Sequence, residues 1–326
     1  MPTAPIPVHP AFHRGELLAQ QRAGMQEKMA TVGPRVIRDF MPDQHREFFE
    51  QLPFMVVGST DAEGRPWASV ISGAPGFVRS PDERTLQVRG PHIAQGDPLR
   101  DNLRAGAKLG LLGIEPHTRR RNRANGVVRA LSEAGMEIAI EQSFGNCPKY
   151  IQARRPELLD ADVMPAAMAV DAPALTPEMA RMIRRADTFF IATALAGDDE
   201  EAQGDGRRHG TDVSHRGGKP GFVRIDGDDT LTVPDFIGNS FFNTIGNLLV
   251  QPRAGLLFAD FDSGALLYLA VRGEVIWEGP KVEAFAGAQR LLRFSVESAR
   301  LVRHALPLRW EQPELSPFLA ATGAWN

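Results

Sequence analysis

Residues 67–79 read "WASVISGAPGFVR" and residues 212–224 read "DVSHRGGKPGFVR". Seven of the thirteen aligned positions are identical, at an offset of 145. The offset holds without a gap from Trp67–Gly113 against Asp212–Phe258, with 15 identities in 47 positions. Among them are Thr85, Leu86 and Val88 with Thr230, Leu231 and Val233, and Gly110, Leu111 and Leu112 with Gly255, Leu256 and Leu257. Upstream, "PFMVVGST" (53–60) and "TFFIATAL" (188–195) correspond at an offset of 135. The second copy has therefore gained about ten residues in "GDDEEAQGDGRRHG" (197–210), an acidic, Gly-rich stretch that reads as a mobile surface loop. A period this long is no solenoid repeat. It means two copies of one domain.

Each copy reads mostly as short strands divided by Gly, Pro and Asp: "FMVVGS", "WASVISG", "GFVRS" and "TLQVRG" in the first. A helix follows in "DPLRDNLRAG", with Asp97 as cap and Pro98 at its first position. The strands "AKLGLLGIE" and "NGVVRA" come next. The second copy repeats the order, with "NSFFNTIGNLLVQ" as its helix. Four strands, a helix and two strands suggest a small antiparallel barrel with a helix across one end. The expected organisation is an N-terminal helical arm (1–45, helix over 12–30 and connector 31–45), a first module (46–152), a linker (153–186), a second module (187–282), and a C-terminal helix and tail (283–326, helix over 281–305).

The bulk numbers narrow the function. A chain of 326 residues, 43% hydrophobic and 24% charged, can build real cores. The net charge of −3 gives no global reason to expect nucleic acid, so any anion site is local. A single cysteine, Cys147, excludes a disulfide framework and a cysteine zinc site. The start "MPTAPIPVHP" lacks the pattern of a signal peptide, and no apolar run is long enough to cross a bilayer. A cytoplasmic setting is expected.

This element order, with "QPRAGLLF" (251–258), "VRGEV" (271–275) and "EQSFGNCPKYIQ" (141–152), resembles the FMN-binding split barrels of the pyridoxamine 5'-phosphate oxidase family. The resemblance covers roughly 46–150 and 187–280. It implies a mainly β fold of two tandem split barrels with peripheral helices, forming an intramolecular pseudo-dimer. It also implies FMN between the barrels, an oxidoreductase acting on a small molecule, and reducing equivalents from NAD(P)H, a separate reductase or the substrate. Family members are usually homodimers, so a homodimer is a possible partner state here. The same fold serves non-catalytic flavin or haem carriers and deazaflavin-dependent reductases.

Residue by residue, the resemblance points to the second copy's strand and the first copy's arginines. His215 or Arg216 takes the basic position at the strand start, next to Ser214, and Lys219 the lysine at its end. Gly217 and Gly218 let backbone lie close to a flat ring. The phosphate helix begins at Asn239, Ser240, Asn243 and Thr244, which are neutral where the family has an Arg-Lys pair. Charge is then expected from Arg216, Lys219 or the other module. There Arg119, Arg121 and Arg123 alternate along a strand and are expected to share a face, with Arg121 at the family's partner-barrel position and Tyr268 its counterpart in the second copy. The first copy has Ser69, Val70, Ile71, Ser72, Gly73 and Ala74 where the second has Ser-His-Arg-Gly-Gly-Lys, so one strong site per chain is expected. Arg89, His92 and Arg100 remain beside the weaker one. Trp310 and Arg309 are candidates to cover a flavin face. Cys147 reads as part of a structural junction, and the pairs His209/His215 and His9/His13 are poor metal ligands.

Overall fold

The computed structural model describes residues 11–160, 164–196, 206–227 and 229–325. His9 and most of the inserted acidic loop lie outside them. Two antiparallel sheets dominate. In the first module the strands are β1 (Phe54–Thr60), β2 (Pro66–Ser72), β3 (Val78–Asp82), β4 (Thr85–Arg89), β5 (Lys108–Glu115), β6 (Arg120–Ser132) and β7 (Gly135–Gly145). Between the modules lie β8 (Pro156–Leu158) and β9 (Met168–Ala172). The second module has β10 (Thr188–Leu195), β11 (Gly210–Gly217), β12 (Arg224–Asp226), β13 (Thr230–Phe236), β14 (Arg253–Ala259), β15 (Leu266–Ile276) and β16 (Ala288–Arg303). The tail adds β17 (Leu308–Trp310), which pairs with β8.

The spatial order is β2-β1-β5-β6-β7-β4-β3 in one sheet and β11-β10-β14-β15-β16-β13-β12 in the other. The two orders are the same path, strand for strand. The duplication is thus one of fold, and the chain is a tandem of two split-barrel modules.

Strand pairing corrects one detail. Gly58 lies opposite Gly110 on β5, and Ala192 lies opposite Gly255 on β14. Gly110 and Gly255 are equivalent at offset 145, so Gly58 matches Ala192, and the upstream offset is 134, not 135. β1 and β10 are almost entirely buried on both faces. A strand buried twice has no polar alternation from which to read its register.

Three apolar clusters follow from this double burial. Met55, Val57, Ile71 and Leu111 fill the first barrel. Ile191, Val233, Leu256 and Phe294 fill the second. Phe54, Val56, Ala68 and Leu112 mix with Phe190, Ala192, Val213 and Leu257 in a third, which is the seam between modules. A Cβ added to Gly110 would lie 2.5 Å from the carbonyl oxygen of Thr211, and one added to Gly255 would lie 2.3 Å from that of Pro66. Thr211 and Pro66 are themselves equivalent at offset 145, so the seam has pseudo-twofold symmetry, each module's edge backbone resting in the other's glycine notch. The modules pair within one chain.

The helices pack around this frame. The arm forms α1 (Arg14–Arg22) and α2 (Gln26–Val36), followed by α3 (Asp43–Glu50). The short α4 (Leu99–Asn102) is held by Asp97, whose carboxylate accepts from Leu99 N at 2.8 Å. α5 (Pro177–Arg185) precedes β10 and α6 (Asn243–Val250) is the counterpart of α4. Asn102 Nδ2 donates to Ser59 Oγ, and Asn247 Nδ2 to Thr193 Oγ1, both at 3.0 Å. The same bond ties helix to strand in each module. α1 reaches over to the second module: Gly15 sits against Gly246 so closely that a Cβ on it would be 2.1 Å from the Gly246 carbonyl oxygen.

The helix expected over 281–305 is absent. One turn, α7 (Pro280–Glu283), precedes β16, a strand of 16 residues between β15 and β13. It occupies the place of β7 and completes the second sheet. β9, in the expected linker, adds an eighth strand against β16.

Gly110→Ala and Gly255→Ala should each destabilise the protein by about 1–3 kcal/mol, because the clashing partner is backbone of the opposite module. Gly238→Ala, with nothing within 4 Å of its added Cβ, should change stability by under about 0.5 kcal/mol. Urea unfolding of the three variants checks both outcomes.

Candidate functional site

β6 of the first module runs toward β11 of the second. Arg123 is 2% exposed, and its guanidinium is held by the second module. Nη1 donates to Asp212 Oδ1 at 2.9 Å, and Nη2 donates to Val213 O at 2.7 Å and to Ser214 Oγ. Asp212 also accepts from Asn125 Nδ2 at 2.7 Å and Asn247 Nδ2 at 3.5 Å. This network crosses the seam from both sides and satisfies most of the polar groups buried there.

Beyond it opens a pocket of about 200 Å³. Arg121, Arg123, Ser214, His215, Arg216, Asn239, Ser240 and Asn243 all line it, from both modules. Arg121 lacks a carboxylate partner among the described residues. Its Nε donates to the Cys147 carbonyl at 2.8 Å and its Nη1 to the His215 carbonyl at 3.3 Å. Burial pushes its pKa down to about 10, so it stays charged at neutral pH. Arg216 donates to Asp235 Oδ1 at 2.7 Å, and Arg290 stands 3.5 Å from Asp235 Oδ2. Four arginines thus face two carboxylates, Asp212 and Asp235. The Nε atoms of Arg123, Arg216 and Arg290, and Nδ2 of Asn146, have no hydrogen-bond partner among the described residues. Buried donors of this kind cost about 1–3 kcal/mol each when left unmet.

The pocket's other wall is the start of α6. No side chain caps that helix, and its flanking residues Ser240 and Phe242 both have φ of 64°. Two non-glycine residues in the left-handed region beside one pocket mark backbone held in place by its surroundings. An uncapped helix start next to unmet guanidinium donors favours an anion. His215 is 5% exposed, and burial beside Arg121 and Arg216 holds its pKa well below the usual histidine value, so it is neutral.

The arm contributes an acid. Glu16 is buried, receives a bond from Asn243 Nδ2 at 2.5 Å, and accepts the backbone N–H of His13 at 3.0 Å. Burial, with Asp212 nearby, pushes its pKa up to about 8. At neutral pH it is mostly a carboxylic acid and cancels little of the positive charge.

Seven expected residues lie elsewhere, among them Thr244, Arg309 (on Glu157 at 2.6 Å) and Trp310, none of which lines this pocket. Arg119 has φ of 56° and precedes β6, so it leaves the face shared by Arg121 and Arg123, and it pairs with Glu314 at 2.8 Å. A Cβ on Gly217 would be 1.9 Å from the Tyr150 carbonyl oxygen, and one on Gly218 would be 2.3 Å from the Phe222 ring. What lies close to those glycines is this chain itself. Lys219 Nζ donates to Thr322 O of the C-terminal tail at 2.6 Å. Asp235, Arg290, Asn146 and Glu16 were not expected. Arg290 and Asp235 meet only because β16 pairs with β13, which the sequence reading had as a helix.

The pseudo-symmetric half of the seam is filled. Register places Tyr268 opposite Leu257, as Arg123 lies opposite Leu112, so Arg123, not Arg121, is the counterpart of Tyr268. Tyr268 Oη donates to Asp97 Oδ2 at 2.7 Å, and Ser69 Oγ donates to Asp97 Oδ1 at 2.5 Å. Burial pushes the Asp97 pKa up to about 6. Val70 and Leu266, counterparts of His215 and Arg121, are in the seam's apolar cluster. Arg89, His92 and Arg100 are turned to Gln87 and to backbone carbonyls.

Residues 41–167 match the family model described as pyridoxamine 5'-phosphate oxidase. Among solved structures, similarity extends to a putative pyridoxamine 5'-phosphate oxidase from Lactobacillus delbrueckii (12% identity, TM-score 0.31, 40% of this chain and 97% of that one). It extends also to HupZ from Group A Streptococcus (16%, 0.29, 38% and 90%). A third is a FAD-binding protein from Mesorhizobium loti (13%, 0.27, 41% and 97%). Among curated proteins none matches.

A carboxyl whose pKa rises on folding holds its proton longer in the native state, so stability is lost as pH climbs from the unfolded value of 4.5 toward about 8. Glu16→Gln removes that titration. The variant should gain about 1–3 kcal/mol relative to the parent between pH 5 and pH 8.5. Chemical denaturation at the two pH values checks it; a difference that does not change with pH contradicts a native carboxylic acid at this position.

Proposed function

We propose that this chain, whose first module is a pyridoxamine 5'-phosphate oxidase-like split barrel repeated by the second, binds FMN in the seam pocket as an oxidoreductase acting on a small molecule. The observation that carries the reading is the surplus of cationic donors in that pocket. Arg121, Arg123, Arg216 and Arg290 outweigh Asp212 and Asp235 by two charges. A phosphate monoester near its dianionic state supplies the matching charge. The three unmet Nε–H groups and the start of α6 supply donors for its oxygens.

The pocket's size suits one part of the cofactor. About 200 Å³ is smaller than the roughly 300–1,000 Å³ of sites that enclose a drug-sized ligand. The arginines take the anionic end, and the remainder projects past Phe236 and Ile237. Tyr150 lies 4.9 Å from Phe236, its ring tilted by 33°, and adds apolar surface beside that rim. The bound flavin would supply hydride or electron transfer; the protein orients it and supplies positive charge. Arg121 stays protonated and binds rather than moves protons. Reducing equivalents come from NAD(P)H or a separate reductase.

Arg121→Ala combined with Arg216→Ala should weaken FMN binding by about 100-fold or more, at roughly 1.5–3 kcal/mol per charged contact. Val70→Ala, at the filled half, should stay within about threefold once folding is verified. Fluorescence titration of FMN reads both, and equal affinities would reject the seam pocket as the cofactor site.

A further inference from the structure

A second cavity, of about 440 Å³, lies where the second module meets the linker and the tail. Its walls are α5, the turn between β14 and β15, and the tail from β17 to Pro313. Neither barrel alone forms it; the second barrel closes it only with the linker and tail. Its floor holds Arg154, Asp187, Phe261 and Trp310. Arg154 and Asp187 are 5% and 8% exposed and form an ion pair. The Arg154 guanidinium stacks 3.8 Å from the Phe261 ring centre, and Trp310 stands edge-on to Phe261 at 5.0 Å.

Three polar atoms of this floor are buried with no hydrogen-bond partner among the described residues: Arg154 Nε, Trp310 Nε1 and Asp187 Oδ1. Two are donors and one is an acceptor. Structures rarely leave such groups unmet. Their complement is a carbonyl oxygen, which accepts twice, beside an N–H that donates once. A primary carboxamide has that edge, and the rings of Phe261 and Trp310 offer a surface for a flat substituent. Acids and bases around the rim nearly balance, with Glu178 on Arg303 and Asp262 on Arg185, so the groove gives no reason to prefer a highly charged ligand.

We infer that this groove binds a planar aromatic carboxamide, the carboxamide facing Arg154, Asp187 and Trp310. The nicotinamide ring belongs to this chemical class. The inference stands on the groove alone and does not rest on the cofactor reading.

Isothermal titration of the full chain with benzamide, nicotinamide and benzoate tests it. Benzamide and nicotinamide should bind saturably at one per chain, and benzoate about tenfold or more weaker, since a carboxylate has no proton for Asp187 and is repelled by it. Trp310→Phe keeps the ring and deletes the donor; it should weaken benzamide by about five- to tenfold. Asp187→Asn should close the gap between benzamide and benzoate to within about threefold. Benzamide binding should persist in the Arg121→Ala, Arg216→Ala variant, so this reading and the cofactor reading fail separately. Absence of saturable benzamide binding to the folded parent, benzoate binding as tightly as benzamide, or an unaffected Trp310→Phe variant would each overturn the inference.

Discussion

The structure depends on the contact of Gly110 with the backbone at Thr211–Asp212, and of Gly255 with the backbone at Pro66–Trp67. Side chains at those two positions would push the modules apart. With hydrogen in their place, β2 rests on β14 and β11 on β5, and the first cores of the two barrels gain a third one between them. The apolar area buried in that third core supplies the association term that two separate chains would have to meet against lost translational freedom. Covalent linkage removes most of that cost.

Close approach of backbone has a second consequence. It brings Asp212 within reach of Arg123, Asn125 and Asn247, so the seam carries a polar network as well as apolar packing. Duplicated positions then diverged in opposite directions. On one side, Arg123 and Ser214 leave a cationic pocket at an uncapped helix. On the other, Tyr268 and Ser69 close on Asp97, and valine and leucine fill what is left. A single chain can differentiate its two half-sites in this way; a symmetric dimer of identical chains cannot, because each substitution appears twice. The arm adds to the asymmetry: α1 packs on α6 and brings Glu16 to Asn243.

The fold was legible where the sequence repeats itself. Identities such as Gly-Phe-Val-Arg and Gly-Leu-Leu located both modules and the site's two halves. The register of β1 against β10 was not legible, because strands buried on both faces carry no alternation. β16 was misread because Leu291, Leu292, Phe294, Leu301 and Val302 fall at spacings that a helix face also allows, and the partners that hold it as a strand are distant in sequence. The same distance hid Arg290 and Asp235. Arg119 shows the opposite failure. Its alternation with Arg121 and Arg123 was real in the sequence, but a left-handed residue ahead of β6 breaks the face. Of the expected cofactor residues, the seam pocket gathers Arg121, Arg123, Ser214, His215, Arg216, Asn239, Ser240 and Asn243, while Gly217, Gly218 and Lys219 are engaged by Tyr150, Phe222 and the tail.

A crystal structure of the full chain grown with FMN tests the central claim most directly. The account places one phosphate per chain among Arg121, Arg123, Arg216 and the start of α6, with the half-site at Tyr268 and Asp97 closed. Flavin bound at Tyr268 and Asp97, or a cation-lined seam holding no ligand at saturating FMN, would contradict it.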